Sequence, residues 1–240
     1  MALVYVGGKS AAVVGSTLTG ATLDLTSLSG GLASSPQEGD IVIVTISTGS
    51  TADRTLSMVT SGYTKITELY VNDDTDCNFA VFYKIMGSSP DTSAVTGPSD
   101  ATADALGAVC QVWRGVDQTT PLDVTTTTAT GTNSGNPNPP SITPITTGAM
   151  VIACGSGADS VQWDMTSPDT DNFVTTKSND TKCTSLGMGS IPWVSGAVDP
   201  GGFDGNSSTD SSWCAATLAL RPQAPSVNPG IFHRRILNIR

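Results

Sequence analysis

Two runs of strand-forming residues stand 109 positions apart: Gly39-Asp40-Ile41-Val42-Ile43-Val44, and Gly148-Ala149-Met150-Val151-Ile152-Ala153-Cys154. Each is a short, continuous apolar run opened by glycine, a pattern suited to a strand buried in a sandwich. The match does not stop there. Gly62-Tyr63 and Asn172-Phe173 each lead into a polar-alternating strand. Asn72-Asp73-Asp74-Thr75-Asp76-Cys77 finds an echo in Asn179-Asp180-Thr181-Lys182-Cys183, at an offset of 106. Ala108-Val109-Cys110-Gln111-Val112-Trp113-Arg114 matches Ala215-Ala216-Thr217-Leu218-Ala219-Leu220-Arg221, at an offset of 107. Nearly equal offsets in the same order predict an internal duplication. Two architectures can hold it, a pair of immunoglobulin-sized domains or one sandwich made from two similar halves. Each half offers about four clear strands, too few to close a sandwich alone. The expected fold is therefore all-β: a single jelly-roll-like antiparallel β-sandwich over residues 1–221, with halves at about 39–116 and 148–221. Thr125 to Pro144, rich in Thr, Asn and Pro, reads as a linker between them. Tyr5, Leu23 and Leu25 are expected on N-terminal strands at the sandwich edge.

Composition agrees with short strands and many turns. Of 21 acidic residues only Glu38 and Glu68 are glutamate. Aspartate forms turns where glutamate forms helices, so this bias argues against a helical chain. The five cysteines (Cys77, Cys110, Cys154, Cys183, Cys214) make no CxxC pair. The opening MALVYVGGKS carries no basic segment ahead of its apolar stretch, and no apolar run is long enough to span a membrane. Synthesis and assembly in a cytoplasm, with reduced and buried thiols, are the expectation.

Chemistry-bearing patterns are thin. Acyl-transfer catalysis by serine or cysteine needs an imidazole base. The one histidine, His233, sits beside Arg234 and Arg235, which disfavour its protonated form. The aspartates fall mostly in turn-like contexts such as Asp73-Asp74, Asp169-Thr170-Asp171 and Asp199-Pro200-Gly201, and the aromatic surface usual in a glycosidase cleft is scarce. Asn72, Asp73, Asp74 and Asp76 offer oxygens for calcium, but the twelve-residue loop with its Gly and terminal Glu is missing. They read as a solvated hairpin tip. No catalytic residue, cofactor or metal site is assigned. Trp113 and Trp213 lie in strand-like runs and belong to a core. Trp163 and Trp193 lie between loops and are the ligand-facing candidates.

The last nineteen residues, PQAPSVNPGIFHRRILNIR, reverse the electrical sign. The chain carries −10, the tail +3, and the remainder −13. Pro222, Pro225 and Pro229 favour an extended lead-out. Behind it Ile231, Phe232, His233, Arg234, Arg235, Ile236, Leu237, Ile239 and Arg240 form an apolar and basic hook. So short a segment cannot bury those side chains among themselves, so it packs on its own body or docks on a partner. A basic arm on an acidic body favours docking. An acidic body without a basic patch argues against a nucleic-acid partner.

One family resemblance adds to this. Val112-Trp113-Arg114-Gly115-Val116-Asp117, Thr120-Pro121-Leu122-Asp123 and Pro139-Pro140-Ser141-Ile142-Thr143 resemble segments of small β-sandwich virion proteins of tailed bacteriophages and prophages. The opening MALVYVGG, Gly39-Asp40-Ile41-Val42 and Phe82-Tyr83-Lys84-Ile85-Met86-Gly87 are similar to that family too. The likeness covers residues 1–221 and leaves out the hook. It implies a structural virion component on a tail tip, fibre or capsid surface, assembled in the host cytoplasm. Its partners would be further copies of itself and other virion proteins, with no membrane insertion. The alternatives are a carbohydrate-binding module for host-surface glycans and, less favoured, a secreted hydrolase.

Overall fold

The computed structural model describes residues 2–14, 20–98, 105–132, 136–159, 164–168, 170–178, 182–205 and 211–225. Among them the regular elements are all strands. In chain order they are β1 (Val4–Val13), β2 (Thr22–Asp24), β3 (Ile41–Ser50), β4 (Leu56–Met58), β5 (Thr64–Val71), β6 (Asp76–Ile85) and β7 (Ser93–Pro98). Then follow β8 (Ala105–Arg114), β9 (Thr127–Gly131), β10 (Met150–Asp159), β11 (Asp171–Ser178), β12 (Cys183–Pro192) and β13 (Ser212–Leu220). They build two five-stranded antiparallel sheets, ordered β1-β8-β3-β6-β5 and β11-β12-β10-β13-β9, and a small sheet β2-β7-β4. The likeness to a jelly roll lies in the packed antiparallel sheets, since each half furnishes one large sheet by itself.

The duplication is written into the hydrogen-bond ladders. β3 precedes β10 by 109 residues, while β5, β6 and β8 precede β11, β12 and β13 by 107. Under those offsets the pair Ile41↔Trp113 becomes Met150↔Leu220, and Ser50↔Asp76 becomes Asp159↔Cys183. Val71↔Cys77 likewise becomes Ser178↔Thr184. Even the irregularities repeat. β5 is bulged between Lys65 and Thr67, and β11 in the matching stretch between Asp171 and Val174. Gly39 and Gly148 stand at φ 82° and 83°, the left-handed conformation that turns the chain into β3 and β10. The third sheet has a rudimentary counterpart too. β7 pairs with both β2 and β4, and in the second half Ile142↔Val198 and Thr166↔Asp204 are single bridges in the corresponding places.

The ladders correct three sequence expectations. The half at 39–116 holds six strands rather than about four, because the short β4 and β7 leave no clear periodic trace. Leu23 and Leu25 lie buried under that small sheet, as a layer over the first large sheet rather than at an edge. Thr125 to Pro144 is not a linker, since it contains β9 and the bridge from Ile142 to Val198. The matched motifs also shift. Asp76, not Cys77, corresponds to Cys183, and Thr64, not Gly62, corresponds to Asp171 or its neighbour. A one-residue slip moves a side chain to the other face of a sheet. Cys77 accordingly faces the shared core while Cys183 does not join it.

That shared core lies between the two large sheets and tapers. Reading inward-facing residues along β3 gives Ile41, Ile43, Thr45, Ser47 and Gly49; along β10, Met150, Ile152, Cys154, Ser156 and Ala158. β8 runs from Trp113 down to Gly107 and β13 from Leu220 down to Ser212. Side chains are large at one end and small at the other, so the sheets splay at the first and touch at the second. At the touching end a Cβ on Gly49 would run into the Cys183 carbonyl oxygen. Ser47 and Ser156, equivalent under the duplication, hydrogen-bond to each other through their hydroxyls. Ser47 Oγ also meets Thr184 Oγ1 at 2.7 Å, and the mirrored contact is Cys77 Sγ donating to Ser156 Oγ at 3.8 Å. The halves thus meet about a local two-fold, as subunits do in a symmetric dimer. At the splayed end Trp113 is buried and donates its indole N–H to Gln111 Oε1 at 3.0 Å. Gln111 in turn donates across the core to the Asn172 carbonyl at 2.7 Å.

Candidate docking surface

The last described residues, up to Pro225, lie at the splayed end. Beyond β8, Gly115 to Asp117 runs beside the residues that follow β13. Asp117 N donates to the Arg221 carbonyl at 2.9 Å, Val116 bridges Pro222, and Gln223 N donates to the Gly115 carbonyl at 2.7 Å. Each half closes on an arginine clamp. Arg114 grips the buried Asp40 carboxylate through Nε at 2.8 Å and Nη2 at 2.9 Å. Arg221, its counterpart, donates Nε to Asp123 Oδ1 at 3.1 Å and Nη2 to the Asp123 carbonyl at 3.0 Å. Asp123 Oδ2 accepts the backbone amides of Ile145 at 2.6 Å and Thr146 at 3.0 Å. Burial pushes the Asp123 carboxyl upward, but hydrogen bonds from Thr146, Ile145 and Arg221 outweigh it and hold the group below the ordinary range. With the root pinned in this way, Gln223, Ala224 and Pro225 are exposed. The hook residues Ile231, Phe232, His233, Arg234, Arg235, Ile236, Leu237, Ile239 and Arg240 lie outside the described residues, as does Trp163.

Trp193 is described, and its role is mixed. Its backbone N–H donates to the Ala149 carbonyl at 3.1 Å, and its indole N–H to the Gly196 carbonyl at 2.9 Å, closing a turn after β12. The half-buried ring packs with Ile191 and Val198 on Ile142, Val151 and Ala219. Beside that turn opens a cleft of about 530 Å³ whose walls include Pro168, Ile191, Val198 and Pro200. Asp199 and Asp204 stand on its rim. Asp199 Oδ1 accepts Gly201 N at 3.3 Å; Asp204 Oδ1 accepts Gly205 N at 2.7 Å. Neither carboxylate forms an ion pair with a lysine or arginine among the described residues. Val194 is 86% exposed and Ile145 69%, the highest values among the exposed large apolar side chains. Sequence reading missed this apolar and acidic surface because its parts come from four separated stretches.

The remaining candidates resolve into structural parts. At the β5–β6 hairpin tip Asp76 is buried, not solvated. It accepts Tyr70 Oη at 2.9 Å and Asp73 N at 2.9 Å, so its carboxylate fixes the turn. Among the described residues no three His, Cys, Asp or Glu side chains gather into a metal-sized group. All five cysteines are free, buried and on strands. Trp113 is in the core, whereas Trp213 is half-buried against Gly131 on β9. In comparisons with known proteins, no family model, curated protein or solved structure matches this chain.

Proposed function

We propose that the chain is a structural component of a tailed-phage virion, seated at a tail tip, fibre or capsid surface and docked through its C-terminal hook. One observation carries the reading. The cores of the body are filled by residues up to Leu220, and the chain is already on the outside at Gln223. Five large apolar side chains follow in the hook, and a partner surface would take them out of water. The resemblance of residues 1–221 to phage sandwich proteins supplies the setting. The test is to locate the chain in purified particles by immunoelectron microscopy, with and without residues 226–240. Labelling at one fixed position, lost when the hook is removed, is the expected result. Particles that never carry the chain contradict the proposal.

The carbohydrate-binding alternative draws on the half-buried Trp193 ring, which packs with Ile191 and Val198 of the cleft wall. A glycan array probed with the full chain tests it, and binding lost in Trp193→Ala would support it.

A further inference from the structure

We infer that the cleft beside Trp193 on one copy is the receptor for the C-terminal hook, residues 231–240, of a second copy. The inference rests on the docking role proposed for the hook and assigns that role a surface. Three observations meet there. First, composition: the walls set the apolar Pro168, Ile191, Val198 and Pro200 beside Asp199 and Asp204, both outside the described ion pairs. The hook alternates Ile231, Phe232, Ile236, Leu237 and Ile239 with Arg234, Arg235 and Arg240, so apolar surface meets apolar and cation meets anion. Second, exposure: Val194, in the turn that Trp193 closes beside the cleft, is 86% exposed, and a large side chain left in water on a well-packed body marks a contact surface. Third, reach. Pro222 packs on Gly148, and Ala149 next to it bonds Trp193, so the root of the arm lies close to the cleft on its own body. A polyproline-like lead-out of eight residues spans about 25 Å. That length is enough for the hook of one copy to reach the cleft of a neighbouring copy. Because every copy offers both a hook and a cleft, the contact is reciprocal in a dimer or runs head to tail in a ring.

The experiment is sedimentation velocity on the full chain and four variants, with circular dichroism and thermal melts as checks on folding. One variant ends at Pro225. A second carries Val194→Asp. A third carries Asp199→Lys with Asp204→Lys, and a fourth Arg234→Glu with Arg235→Glu. All changes fall at exposed or tail positions, so the body is expected to melt as the parent does. The full chain should self-associate and the truncated chain should not. Val194→Asp and each charge reversal should weaken association about tenfold or more. Mixing the third and fourth variants should restore it, because each supplies the complement the other lacks. If truncation abolishes association while the cleft variants match the parent, the hook docks elsewhere: this inference fails and the docking role of the hook survives. If the full chain stays monomeric, or truncation changes nothing, both fail. A parent-sized assembly in the cleft variants, with glycan binding that those variants lose, would assign the cleft to a saccharide instead.

Discussion

Asp123 ties together three stretches of chain that sequence distance keeps apart: its own, the Ile145–Thr146 turn and Arg221 at the end of β13. Its side chain is fully buried, so removing the carboxylate strands two amides and leaves the Arg221 guanidinium, among the described residues, with only its bond to the Asp123 carbonyl. Asp123→Ala should cost about 3 kcal/mol in urea unfolding, in the range for breaking a buried charge pair. The native carboxyl sits below the unfolded value of about 3.9. Its contribution is therefore complete above pH ~4 and is lost as pH falls through the lower native value. Asp123→Asn should flatten that acid limb, and an unchanged limb would show that other carboxylates set it. The thiols carry the opposite sign. Burial pushes Cys110 and Cys154 up to about 12. Unfolded thiols ionise near 8.5, so this stabilisation is whole below that pH and is lost as pH rises toward 12. All five thiols should resist a thiol reagent at pH 8 in the native protein and react together on unfolding. Partial native labelling would contradict the burial of that cysteine. The matching positions of Arg114 and Arg221 were legible in the sequence. Their partners were not, because Asp40 precedes β3 while Asp123 comes from a loop with no counterpart in the first half.

At the scale of strands, sequence periodicity found β3, β10, β8 and β13 for a plain reason. They are buried on both faces and read as unbroken apolar runs. β4 spans only three residues, less than two periods of alternation, and left no signal. The motif echo at Cys77 and Cys183 was off by one because residue identity was matched, whereas the structure keeps facing. What positions the halves is the size gradient along their inner faces. Gly49→Val should destabilise by about 3 kcal/mol, since its side chain has no room against the Cys183 backbone. Ser156→Ala should cost less, about 1 kcal/mol, because Ser47 keeps Thr184 as a partner. A larger loss at Ser156 than at Gly49 would mean that the hydroxyl cluster, rather than the close approach, holds the sheets together. The candidate docking cleft was less legible than the strands. It is assembled from turns around Pro168, Ile191 and Asp199, whose proximity comes from the sheets and not from any local pattern.

As a whole molecule, the chain is two copies of one plan joined by their largest core. Ile41, Phe79 and Trp113 from one sheet share that core with Ile152, Leu186 and Leu218 from the other. Neither large sheet can open that face to water without exposing it in both halves, so the body should melt in one transition. Leu186→Ala should lower stability by about 3 kcal/mol and shift that single transition. Two separated transitions would mean that the halves stand alone. The hook lies beyond this unit in chemistry as well as in sequence, being basic where the body is acidic and apolar where the body is complete. The central claim is that the hook belongs to assembly and not to the fold. It is tested most directly by ending the chain at Pro225 and measuring, on the same sample, thermal stability and molecular mass in solution. The expected result is an unchanged melting temperature and loss of every species larger than the monomer. A truncated chain that melts well below the parent, with a parent that is itself monomeric, would place the hook in its own core and contradict the claim.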